Sequence, residues 1–334
     1  MKIFKPKNDI FLNMTASCTG PLEAKGPLGD LFDFTFDDSL LEEESYEKAE
    51  SQMAKIAFET LLKKSKLSDN DIDVIFGGDL MNQCTSTSHA LKDKPSSYVG
   101  LYGACSTFVL GAINASLAIE ASWAKKAVFL SGSHFATAER QFRTPLEYGG
   151  QRPPTSQVTV TGYCASLLST DIGPIRIADC LVGRIVDSGL NDITDMGAVM
   201  APAAADTIEN YFTLTKKTAS DFDLIVTGDL GLRGSELMND ILLKNNIKLK
   251  NHKDCGLMIY DPDTQDVHCG GSGCGCSACV FGAKLYSMLE KKEIKNMLLL
   301  GTGALMSPLT VYQKESIAGI CHLVHFKGEE KWNI

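Results

Sequence analysis

The side chains able to do chemistry here are thiols, imidazoles and carboxylates set beside glycine-rich turns. Cys105 follows Gly103-Ala104 and opens an apolar helical pattern from Ser106 to about Trp123. A thiol there faces unpaired backbone N–H groups and the positive end of a helix dipole, which favours thiolate and attracts anions. A small buried core residue suits the same position. A second glycine-rich run, Cys269 to Cys279, holds four cysteines in eleven residues. It lacks the two separated pairs of a structural zinc site, and Cys276 and Cys279 fall inside a predicted helix. Close backbone approach at a strand–helix turn therefore explains it better than a metal. His134, in Ser131-Gly-Ser-His134-Phe135, follows a predicted strand, where α/β folds place ligand sites; a core or loop histidine fits the same pattern. His268 precedes the glycine-rich turn. His322 and His325 alternate in a last strand-like stretch and are expected to face the surface.

The elements that position these groups occur twice. Asp71-Ile-Asp-Val-Ile-Phe-Gly-Gly-Asp79-Leu80 resembles Asp221-Phe-Asp-Leu-Ile-Val-Thr-Gly-Asp229-Leu230, 150 residues later. Ala104-Cys105-Ser106 through Ala112 matches Gly275-Cys276-Ser277 through Ala283 at five of nine positions, 171 residues later. A helical pattern and a buried strand follow each match, Ala127–Gly132 and Met297–Thr302. Either match alone is weak; the same order twice argues for a duplicated architecture. Tyr46 to Lys64 carries Ala49, Met53, Ile56, Ala57 and Leu61 at helical spacing, and Asp73–Phe76 reads as a strand covered on both faces. Helices alternating with such strands predict parallel pairing through right-handed crossovers. The two halves are expected to span residues 1–172 and 173–334, joined near Asp171–Pro174. Between Glu139 and Thr159 a run rich in glycine and proline predicts a long, functional loop.

Composition narrows the function classes. At 334 residues, with 44% hydrophobic and 22% charged side chains, the chain is globular and long enough for two core units. Its 32 Lys+Arg against 41 Asp+Glu give a net charge of −9, which argues against nucleic-acid binding. Eleven cysteines, an odd number, behind a start that does not read as a secretory signal predict reduced thiols rather than a disulfide framework. No run approaches the roughly 18 apolar residues that cross a bilayer.

A Gly-Ala-Cys105-Ser-Thr elbow in a duplicated α/β chain resembles the thiolase superfamily, the thiolases and the condensing enzymes of fatty-acid synthesis. The resemblance implies an α/β fold in which two similar halves form a five-layer αβαβα sandwich, with Cys105 at the nucleophile position. In the condensing enzymes a His follows the strand matching Asp223–Val226, and an Asn lies in the glycine-rich turn before the second-half helix. This chain has Thr227-Gly228-Asp229-Leu230 and Gly271-Ser272-Gly273-Cys274-Gly275 at those places. Losing one such donor typically lowers a rate by ~10²–10³, so the departure implies a non-catalytic protein. His268 is the nearby candidate to compensate.

Longer runs resemble a narrower thiolase-like family of sporulation proteins from spore-forming Firmicutes. They are Gly77–Gln83, Gly100–Thr107, Ser131–Arg143 and Pro145–Thr155. That resemblance implies binding of dipicolinic acid (pyridine-2,6-dicarboxylate), free or with calcium, in the former nucleophile pocket, with Cys105, Asp79 and His134 as ligand-binding residues. Asp79 fits a structural helix cap as well. Arg140, Arg143, Arg152 or Arg233 is expected to meet the ligand's carboxylates. The resemblance further implies membrane-embedded stage V sporulation A (SpoVA) proteins as partners, loading of dipicolinate into the developing spore and a forespore location at the inner membrane; the thiolase resemblance allows a homodimer. It implies no cofactor and no resident metal. The alternative is an acyl-CoA-dependent condensing enzyme or acyltransferase that uses Cys105.

Overall fold

Short apolar runs become strands and apolar stripes at helical spacing become the helices that cover them. The computed structural model describes residues 1–141 and 152–329. The first half supplies β1 (Phe11–Thr19), β2 (Val74–Gly78), β3 (Ser97–Gly100), β4 (Lys126–Ser133) and β5 (Gly162–Ser169). The second supplies β6 (Ile175–Leu181), β7 (Leu224–Thr227), β8 (His252–Asp254), β9 (Asn296–Leu305) and β10 (Ala318–Gly328). Their order in one sheet is β8-β7-β9-β10-β6-β1-β5-β4-β2-β3. Read outward from the β6–β1 join, each half repeats the other. The join is short, pairing Phe11 with Arg176 and Leu12 with Ile175. The chain crosses from one half to the other between Ser169 and Ile175, while Ile3–Phe4 reaches over to pair with β6.

Parallel pairing holds for β4-β2-β3 and β9-β7-β8. That is the pairing expected of strands alternating with helices; the inner strands β5, β1, β6 and β10 run antiparallel to their neighbours. The link from β9 to β10 contains only the five-residue helix Pro308–Tyr312, not a full crossover, so the chain returns in the opposite direction.

Five helices complete the layers: α1 (Tyr46–Ser65), α2 (Thr107–Glu120), α3 (Met196–Thr215), α4 (Gly231–Lys244) and α5 (Cys274–Val280). Helix α1 covers β1 and β5, and α3 covers β9 and β10 with α4 packed on it. Helix α2 touches β2 and β4 on one side and β9 and β10 on the other, with α5 beside it. This is the αβαβα sandwich. The stripe on α1 buries Ala49, Met53, Ala57 and Leu61, with Ile56 at its margin. A chain of rings crosses the middle layer: Phe129 on β4, Phe108 on α2, Phe281 beyond α5 and Phe326 on β10, with successive centroids 4.9, 5.4 and 5.1 Å apart. A helix buried between two sheets must be apolar all round, which is why α2 shows no polar face.

The last strand lies inside the sheet, between β9 and β6. His322 and His325 are therefore buried, at 5% and 3% exposure, not surface-facing as the alternation predicted. His322 Nδ1 accepts from Gly183 N at 3.2 Å, and His325 Nδ1 lies 3.3 Å from Asp179.

Candidate functional site

The elbow before α2 is held by its own hydroxyls. Ser106 Oγ donates to Gly103 O (2.6 Å), Thr107 Oγ1 donates to Ala104 O (2.7 Å), and Gly103 N donates to Thr107 Oγ1 (3.1 Å). Ala104 adopts φ +49°, a left-handed conformation that costs an L-residue roughly 1–2 kcal/mol. The strain turns Cys105 toward a cavity of about 350 Å³, the size range of small-molecule sites. Cys105 is half-buried there, and the other ten cysteines are buried. Opposite it stand Ser272 and Gly273 from the second half, whose strand Gly271–Ser272 pairs in parallel with Val158–Thr159.

Asp229 lies directly behind this surface. It leaves β7 through Gly228 and is 1% exposed. Its carboxylate accepts from Thr302 Oγ1 (2.6 Å), Ser272 Oγ (2.8 Å) and Gly273 N (3.0 Å). Burial pushes its pKa upward, against hydrogen bonds from Thr302, Cys105, Ser272 and Gly273. Cys105 Sγ sits 3.9 Å from Ser272 Oγ. Burial first, and the Asp229 charge second, hold the Cys105 pKa well above the ordinary thiol value. The thiol is neutral near pH 7. Of the two readings the helix start allowed, desolvation and the facing carboxylate outweigh the pull of the helix dipole toward thiolate.

Gln157 also lines the cavity. Its Nε2 donates to Asp229 O and Gly271 O, both at 2.8 Å, so this amide locks the second-half turn. Its donors are thus committed to backbone carbonyls and do not point at the sulfur.

Of the three expected ligand residues, Cys105 lines the cavity; Asp79 and His134 are not among its lining residues. Asp79 is fully buried and accepts from Met81 N (2.9 Å), Thr87 N (2.8 Å) and Thr87 Oγ1 (2.7 Å). His134 is also fully buried. Its Nε2 donates to Ser39 O (2.8 Å) and its Nδ1 accepts from Ala136 N (3.1 Å), which fixes a neutral tautomer. Burial lowers its pKa to about 4. His268 is on the surface, 3.5 Å from Asp266, and does not line the cavity. Among the described residues no histidine does.

Arg140 pairs with Glu47 (3.0 Å) and Arg233 with Asp195 (2.5 Å), neither on the cavity wall; Arg152 is on it. Arg143, with residues 142–151 of the loop predicted between Glu139 and Thr159, lies outside the described residues. Cys269 Sγ donates to Pro154 O, while Cys274, Cys276 and Cys279 are core residues of α5. The sequence reading passed over Asp229, Ser272 and Gln157. Asp229 had a signal, since it falls in the segment after Asp223–Val226, where the resemblance to the condensing enzymes implies a His.

The stage V sporulation protein AD (SpoVAD) family matches residues 2–327. The chain belongs to that family. It is 42% identical over 322 residues to stage V sporulation protein AD of Bacillus subtilis strain 168, covering 96% of this chain and 95% of that protein. Among solved structures, 3-oxoacyl-(acyl-carrier-protein) synthase III of Aquifex aeolicus aligns over 96% of this chain and 97% of its own, with TM-score 0.53 and 14% identity. An OleA variant of Xanthomonas campestris aligns over 97% and 100%, with TM-score 0.62 and 13% identity. At such identities these structures establish the fold. The chain is a thiolase-like member of a family of sporulation proteins.

Proposed function

We propose that this protein binds dipicolinate, free or as its calcium chelate, in the cavity beside Cys105, and that it does so without catalysing condensation. The observation that carries the reading is geometric: Cys105 lies on the cavity wall beside Ser272, which donates to the Asp229 carboxylate behind it, and among the described residues no histidine lines the cavity. A carboxylate in that place stabilises no developing oxyanion, and a thiol held above its ordinary pKa offers less thiolate for attack. A neutral thiol does suit an anionic ligand, because it adds no like charge to the pocket. The cavity volume and largely apolar lining accommodate a small flat aromatic diacid.

The proposed setting is dipicolinate loading in sporulation, with membrane-embedded SpoVA proteins as partners at the inner membrane of the forespore. Among the described residues no helix is long and apolar enough to cross a membrane, so membrane association in this reading runs through those partners. Titration calorimetry with purified protein tests the ligand: saturable one-site heat is expected with dipicolinate, and none refutes the reading. The second reading, an acyl-CoA-dependent enzyme, draws on the access of Cys105 to the cavity. Incubation with an acyl-CoA followed by intact-mass spectrometry separates the two. An unmodified mass is expected; an adduct on Cys105 that turns over selects the enzyme.

A further inference from the structure

The apolar part of the cavity wall is mostly aliphatic, with Leu80, Ile193, Met196 and Met306 on it. Among the described residues one aromatic ring joins them, Tyr102. It sits in the short segment between β3 and the Cys105 elbow. The ring is uncovered for so large a side chain, with 48% of the residue exposed. Phe108, Phe129 and Phe281 in the middle layer pack on one another, whereas Tyr102 has no ring or cation partner among the described residues.

The ring is also held in place. Its OH donates to Met306 O (3.3 Å), so a first-half side chain is tied to the second half across the cavity wall. The backbone on either side is bonded as well: Leu101 N donates to Gly77 O (2.8 Å) and Gly103 N to Thr107 Oγ1 (3.1 Å). A side chain fixed at its tip and at both chain neighbours loses little freedom when a ligand meets it. A ring that forgoes burial yet is locked on a cavity wall is ready for a flat partner.

We propose that Tyr102 is the stacking face of this cavity, the surface on which the ligand's aromatic ring lies. The assignment rests on the ligand reading above and adds the group that recognises the ring rather than the carboxylates. The ring nitrogen leaves pyridine electron-poor, which suits the electron-rich face of a phenol in an offset stack. The Met306 carbonyl, by holding the phenol oxygen, keeps the ring on the wall.

The test is titration calorimetry with dipicolinate on wild type, Tyr102→Leu and Tyr102→Phe, joined to proton NMR of the ligand's ring hydrogens in the presence of each protein. Tyr102→Leu keeps apolar bulk without a π face; Tyr102→Phe keeps the ring without the tether. Tyr102→Leu is expected to weaken binding by about 3- to 10-fold, and Tyr102→Phe to keep most of the affinity. The ligand's ring hydrogens should move upfield with wild type and with Tyr102→Phe, the signature of a ring stacked over them. That shift should vanish with Tyr102→Leu, a change that a merely structural role would not produce. Equal affinity in wild type and Tyr102→Leu, equal losses in both variants, or wild-type binding without the upfield shift overturns the assignment and leaves the ligand reading standing. No saturable binding of dipicolinate to wild type overturns both.

Discussion

The two halves carry the same strand–turn–helix device and use it oppositely. In the first, Ala104 takes the left-handed conformation and Cys105 is turned into the cavity; in the second, its counterpart Gly275 does not have positive φ and lies inside α5, and Cys276 is wholly buried. The paired aspartates diverge too. Asp79 caps its own turn through Met81 N and Thr87, whereas Asp229 reaches across to Ser272, Gly273 and Thr302 beneath the Cys105 thiol. Because Asp229 faces away from its own turn, a different carboxylate does the capping: Asp254 accepts from Leu230 N (2.9 Å) and Gly231 N (3.0 Å). Duplication supplies two equivalent frames, and the neighbours of each frame decide which becomes a site.

The largest effects should come from the aspartates. Asp229→Ala and Asp79→Ala each strand three buried donors, and each should lower unfolding free energy by at least about 3 kcal/mol in urea titrations. The conservative variants separate them. Asp229→Asn should move the pH profile of Cys105 alkylation to lower pH, because the carboxylate that raises the thiol pKa is gone. Asp79→Asn should leave that profile in place. Equal shifts in both would erase the distinction drawn between the halves.

Asp254 sharpens it further. Burial raises its pKa from 3.8 to about 7. The folded protein then holds a proton that the unfolded chain releases, so this group's stabilising contribution is full below about pH 4 and lost as pH rises through 7. The stability difference between wild type and Asp254→Asn should fall by a few kcal/mol across that window, read from urea titrations at stepped pH. A difference that does not change with pH would contradict the raised value.

The glycine of α5 is more closely approached than that of α2, where a Cβ on Gly111 would meet Phe129 Cβ at 3.1 Å. A Cβ on Gly275 would meet Gly162 O at 2.6 Å and Ser133 Oγ at 2.9 Å, so Gly275→Ala should cost about 1–3 kcal/mol. The smallest contrast lies in the thiols themselves. Cys276→Ala, in the core, should cost about 1 kcal/mol, and Cys105→Ala, beside open volume, less than about 0.5 kcal/mol. A larger cost at Cys105 would mean its sulfur is structural.

Much of this was legible in the chain. The stripe on α1, the Cys105 elbow and the two-fold repeat were set by local pattern, and local pattern survived folding. What failed depends on neighbours distant in sequence. His322 and His325 alternate as an edge strand would, but β10 is flanked by β9 and β6, and strand order is not written in alternation. The helix start at Cys105 looked activating because the desolvation and the Asp229 carboxylate arrive from elsewhere in the fold. Asp79 and Asp229 share one motif, Gly-Asp-Leu; only the assembled halves show which of them backs the cavity.

The claim at the centre is that the hollow beside a neutral Cys105 is a binding site. The direct measurement is a crystal structure of the protein grown with dipicolinate. It should show the diacid in the cavity against Cys105 and Ser272, with the sulfur unmodified and a carboxylate toward Arg152. Ligand bound elsewhere, with this cavity empty, would contradict the account.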